Sequence, residues 1–126
     1  MSTLETVRLF LHVLAACIWV GGQLVLGALV PTLRAAGPDV PAAAARAFNK
    51  IAWPAFWVLV ATGIWNMLAV DVNQTTLGLK LTAVAASGVT AWLHARASTA
   101  RGRGVYGALT ALTALLALLL GIILAG

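Results

Sequence analysis

Acidic side chains are scarce. Glu5, Asp39 and Asp71 are the only three in 126 residues, and all of them fall outside the long apolar runs. No paired carboxylate is therefore available for general acid–base hydrolysis, and a proton pump built on an acid buried in the membrane is excluded. Cysteine is scarcer still. Cys17 alone cannot close an internal disulfide, and no CxxC metal pair is present. The chain also lacks GxSxG, HExxH and any phosphate-cradling glycine loop, which removes the common hydrolase and nucleotide-binding classes. Charged residues make up 9% of the chain, against about 25% in ordinary soluble domains.

What replaces them is apolar. Hydrophobic residues are 62% of the sequence, more than the core of one short domain could bury, so lipid is the expected surrounding for the excess. The net charge is +5, from eight Lys and Arg against three acids. In a soluble protein that balance would point to nucleic acid. Here the basic residues sit in gaps between apolar runs, too dispersed for a nucleic-acid patch, and their expected role is to orient the chain in a membrane.

A spanning helix needs roughly 20 apolar residues. Four runs meet this: residues 9–33, interrupted by His12, Gln23 and a late Pro31; 51–70; 77–95, with Lys80 near its start; and 104–126. None shows the two-residue alternation of membrane strands. The first run has no basic leader beyond Arg8 and no clear small-residue cleavage site before Arg34, so it reads as a retained helix. The expected fold class is all-α, an integral membrane four-helix up-down bundle. It forms one transmembrane domain over 1–126, with helices at about 7–33, 51–70, 77–96 and 104–125. The first connection, 34–50, is the longest. It is punctuated by Gly37-Pro38 and Pro41, and its Ala-rich stretch 41–49 reads as a short interfacial helix.

Arg34, Arg46 and Lys50 lie in the first connection and Arg96, Arg101 and Arg103 in the third, whereas the opposite side has only Arg8 and Lys80. The positive-inside rule then puts these two connections in the cytoplasm, and both termini and the Asp71 turn outside. Polar residues fall on helical stripes: His12, Ala16, Trp19 and Gln23; Thr62 and Asn66; Lys80, Ser87 and His94; Tyr106, Thr110 and Thr113. Pointed inward, they make a polar column with His12, Asn66 and Lys80 near the outer surface. Gln23, Thr62, Ser87 and Thr113 come at middle depths, and His94, Tyr106, Trp53 and Arg46 near the inner one. Hydroxyls in such helices commonly act as interhelical glue, and Lys80 can snorkel to the interface. His94, beside Arg96, reads as an interfacial histidine. Ionisable residues inside the membrane are functional candidates, which singles out His12 and then Lys80.

One series of short motifs is distinctive. Leu11-His12-Val13-Leu14 leads to Ile18-Trp19-Val20-Gly21-Gly22, with Pro31 near the helix end. Arg46-Ala47-Phe48 and Ala61-Thr62-Gly63-Ile64-Trp65-Asn66 come next, and Gly78-Leu79-Lys80-Leu81 opens the third helix. From about residue 9 to residue 80 this resembles the membrane domain of the copper resistance protein D (CopD-type) family. More distantly, it is similar to HemJ-type protoporphyrinogen oxidases, four-helix membrane proteins with a histidine early in the first helix and a lysine opening a later one. The resemblance implies a helical membrane domain linked to copper uptake or tolerance, or to haem metabolism, with His12, Asn66 and Lys80 as a site at its outer end.

The expected function is CopD-like copper handling at the outer end of the bundle, with a b-type haem protein and a non-catalytic accessory subunit as the alternatives. A CopD-like copper protein would bind or transport the metal through His12, with Met67 and Cys17 as the sulfur donors nearest in kind to what copper prefers. A b-type haem protein, either an electron carrier or a porphyrin oxidase, would draw its ligands from His12, Lys80 and His94. His12 and His94 are offset by ~20 Å along parallel helices and cannot share one iron within a monomer. A non-catalytic accessory subunit would pack its glycine-lined faces into a larger membrane complex or against a second copy of itself. Lipid is the expected partner under all three.

Overall fold

A computed structural model describes residues 1–126. The chain is all-α, with no strand, and has four helices long and apolar enough to cross a membrane. They are α1 (Thr3–Ala36), α2 (Val40–Ala69), α3 (Gln74–Arg96) and α4 (Ala100–Ala125). The all-α, four-helix membrane class expected from the sequence is thus what forms. Met1–Val70 and Asp71–Gly126 are two compact units, each an antiparallel helical hairpin: α1 against α2, and α3 against α4.

Local sequence explains the helix starts. Ser2 and Glu5 form a capping box on α1: the Ser2 N–H donates to Glu5 Oε2 at 2.6 Å, and the Glu5 N–H to Ser2 Oγ at 3.2 Å. Asn73 accepts from the Thr76 N–H at 2.9 Å to open α3, and Thr99 accepts from the Gly102 N–H at 3.0 Å to open α4. The second helix departs from expectation. It starts at Val40 rather than near residue 51, so the segment 41–49 is not a separate interfacial helix and the first connection shrinks to Gly37-Pro38-Asp39. Pro41 stands in the first turn, where a missing N–H costs nothing, and the alanines that follow are the strongest helix formers. Pro31 and Pro54 sit inside helices, which membrane helices tolerate.

In α1 one turn, Cys17–Gly21, is a π-helix. Its wider turn re-phases the helix and carries the buried Trp19 and Val20. Trp19 anchors an aromatic cluster with Phe56 (4.6 Å between ring centroids) and Trp53 (5.3 Å). Such pairs contribute about 0.5–1.5 kcal/mol beyond area burial.

Apart from these rings, Val20, Leu77 and Arg8, the buried positions are small. Ala15, Ala52 and Ala55 line the first hairpin, and Ala83, Ser87, Thr110, Ala114 and Ala117 the second. The large aliphatic side chains point outward: Leu68 is 83% exposed, Leu112 63% and Ile122 62%. A water-soluble protein would reverse this. Small residues at the seam and leucines outside is the pattern of helices packed in lipid, where close backbone approach supplies the attraction.

The glycines divide by this criterion. A Cβ on Gly22 would run into the ring of Phe48, whereas one on Gly21 meets nothing within 4 Å. Gly22→Ala is expected to lower the stability of the detergent-solubilised protein by about 1–3 kcal/mol, and Gly21→Ala to change it by under ~0.5 kcal/mol. Denaturant-detergent titration checks both, and pairing Gly22→Ala with Phe48→Leu should recover part of the loss.

Candidate functional site

His12 and Thr62 meet across the first hairpin. His12 Nδ1 lies 2.8 Å from Thr62 Oγ1, and Thr62 is buried. The same hydroxyl lies 2.7 Å from the Val58 carbonyl oxygen and 3.3 Å from that of Leu59. A hydroxyl has one proton to give, and a carbonyl can only accept. With the Thr62 proton donated to Val58, its oxygen accepts from the imidazole. That pattern puts a proton on Nδ1, and in the neutral ring the lone pair is then on Nε2. This is the arrangement of ligating histidines, whose second nitrogen donates to a neighbouring oxygen that fixes ring and tautomer. Gly63 bounds the ring on one side, where a Cβ would sit 3.6 Å from His12 Cε1.

Arg8 and Asn66 stand one helical turn further toward the N-terminal end of α1. Arg8 precedes His12 by four residues, and Asn66 follows Thr62 by four, so both continue the stripes on which the pair sits. Arg8 is only 7% exposed, and its Nε–H has no hydrogen-bond partner. The guanidinium carbon lies 5.9 Å from the centre of the Trp65 ring, at the outer limit of a cation–π contact. The nearest acid along the helix, Glu5, is tied into the Ser2 cap. Asn66 Oδ1 is likewise buried without a partner. Hydrogen-bonding groups left open this way are uncommon in folded proteins and call for a physical reason.

Sequence reasoning passed over Arg8 because it flanks an apolar run and reads as an orienting charge. The signal that could have found it is its spacing, one turn before His12 on the same face.

The other expected site residues lie elsewhere. Lys80 belongs to the second hairpin, where a Cβ on Gly121 would come 3.0 Å from its Nζ. His94 Nδ1 lies 2.8 Å from the Arg103 carbonyl oxygen, so it donates there and ties the α3–α4 connection. Lys80 and His94 are separated by ~21 Å along α3 and do not form one site. Cys17 is exposed and lines a shallow groove with Ile18, Gly22, Val25 and Phe48. Met67 is 36% exposed. Cys17 lies five residues from His12 and Met67 five from Thr62, each about 140° round its helix.

No group of three or more His, Cys, Asp or Glu residues is placed to hold a metal ion. The remaining polar side chains of the second hairpin bond among themselves. Thr110 Oγ1 lies 3.0 Å from Thr90 Oγ1 and 2.7 Å from the Tyr106 carbonyl, and Ser87 Oγ donates to the Thr110 carbonyl at 3.3 Å. Such back-bonded hydroxyls hold helices together.

No family model, curated protein or solved structure matches this chain. The functional reading therefore stands on the side chains just described: an imidazole with a set tautomer, and an open guanidinium N–H and an open amide oxygen one turn away.

Proposed function

We propose that this chain is a membrane-embedded b-type haem protein in which Nε2 of His12 is an axial ligand. The observation that carries the reading is the His12–Thr62–Val58 hydrogen-bond relay, which holds the imidazole through Nδ1. Imidazole is a common axial ligand of haem iron, and a porphyrin brings carboxylates that a buried arginine suits. Haem bound there supplies one-electron redox chemistry. The protein's part is to hold the imidazole in one orientation, keep its second nitrogen bonded, and exclude water.

The residues fit a closed copper site less well, since no group of three or more His, Cys, Asp or Glu residues is placed to hold a metal ion. Copper remains a second reading because the same neutral Nε2 is a copper ligand. The CopD-like resemblance points that way, with the metal as cargo and further donors supplied by another chain.

The proposal includes a place and an orientation: the cell membrane, with the His12 end of the site toward the outside. The basic residues at positions 34, 46, 50, 96, 101 and 103 support this.

Two measurements test these statements. After haem supplementation, the purified protein should show a Soret band and sharp bands on reduction, both lost in His12→Ala. Thr62→Val, which leaves the Nδ1 proton without an acceptor, should weaken binding about 10–100-fold, while Thr62→Ser should retain it. Absence of a Soret band would sink the haem reading. Near-stoichiometric copper on the same sample would then favour the second reading, and a colourless, metal-free protein an accessory role in a larger complex. For orientation, in a Cys17→Ala background, Asp71→Cys should react with an impermeant thiol reagent added to whole cells and Asp39→Cys should not. The reverse pattern would invert the proposed topology.

A further inference from the structure

We infer that Arg8 is the anion-binding residue of this site, and that the group it receives is a carboxylate carried by the porphyrin; the identity of that carrier rests on the haem reading above. A guanidinium buried to 7% exposure without an ion pair is costly. Arg8 is compensated within the protein by a distant aromatic face and by the attraction of Glu5 one turn before it, at no ion-pair distance, and its Nε–H is buried with no acceptor.

Snorkelling satisfies only the tip of the group; the Nε–H is the guanidinium N–H that stays buried and unbonded. Glu5 attracts Arg8 from a distance but accepts from the Ser2 N–H and makes no hydrogen bond to the Arg8 Nε–H. An incoming carboxylate would supply what the site lacks: a negative charge, and lone pairs for the Nε–H. Arginine is the residue best shaped for that, since its planar fork matches a carboxylate.

Placement supports the same ligand. Arg8 sits one turn, ~6 Å along α1, from the imidazole that presents Nε2, on the same helix face. Asn66 faces the same level from α2, and its open Oδ1 can accept from a protonated or hydroxyl-bearing edge of the ligand. A molecule that engages both His12 and Arg8 must be amphipathic: apolar enough to enter a membrane hairpin, with an anionic group displaced by about one helical turn from the atom that His12 binds.

The test separates the carboxylate from the iron. Iron-free protoporphyrin and its dimethyl ester are titrated into the full-length protein in detergent, read by porphyrin fluorescence, for wild type, Arg8→Gln and Arg8→Lys. Wild type is expected to prefer the free acid over the ester by about 10–100-fold, the size of a buried charge-assisted bond. Arg8→Gln should lose most of that preference, and Arg8→Lys should keep part of it, having the charge without the fork.

Because the ester arm uses unmodified protein, the result does not depend on the variants folding. Equal binding of acid and ester by wild type overturns the inference, as does failure of the free acid to bind. A strong preference for the acid, combined with a Soret spectrum of bound haem that does not change in His12→Ala, would leave Arg8 standing and remove His12 as the iron ligand.

Discussion

Hydrocarbon offers no hydrogen bonds, and that constraint organises everything in this chain. A polar group carried into the bilayer must find its partner inside the protein. Most do so at the shortest range available: Thr82, Thr90, Thr110 and Thr113 each donate to a carbonyl four residues back in their own helix. The same constraint sets the packing. With no gain from burying leucine away from leucine-like lipid, the hairpins close on alanine, serine and threonine and turn their large side chains outward.

Against that background the exceptions carry meaning. Arg8 Nε, Asn66 Oδ1 and Gln23 Nε2 are buried and unbonded. All three belong to the first hairpin, and the first two stand one turn from the His12–Thr62 pair. The second hairpin leaves no buried side-chain nitrogen or oxygen without a partner. The buried side-chain polar groups without a partner are thus confined to the first hairpin, two of them beside the His12–Thr62 pair and one, Gln23, about three turns away. The proposed ligand would meet the two open groups beside the His12–Thr62 pair.

Much of the fold was legible because hydropathy is strong and the spans are long. All four helices were found, and the stripes correctly set His12 on the face that meets Thr62. The extension of α2 back to Val40 was not, because Arg46, Asn49 and Lys50 make that segment look like a connection although its alanines and Pro41 favour helix. The π-turn at Cys17–Gly21 has no sequence signature. The pairing of His12 with Thr62 needed the register between two helices, which periodicity within one helix cannot give. Arg8 was hidden by its position at the edge of an apolar run, where charge is ordinarily interfacial. Lys80 and His94 were grouped by residue type and by spacing along one helix. The structure gives each of them a separate local neighbour instead.

The claim on which the rest depends is that Thr62 fixes the His12 imidazole with its proton on Nδ1 and its lone pair on Nε2. Nitrogen-15 NMR of the ring, recorded on detergent-solubilised protein with His94 replaced by asparagine so that one histidine signal remains, reads this directly. At a pH where the imidazole is neutral, the account predicts a protonated Nδ1 and an unprotonated Nε2, with the ratio moving toward the free-imidazole mixture in Thr62→Val. A proton found on Nε2 in the unaltered site would mean that the nitrogen presented for ligation carries no lone pair, and would contradict it.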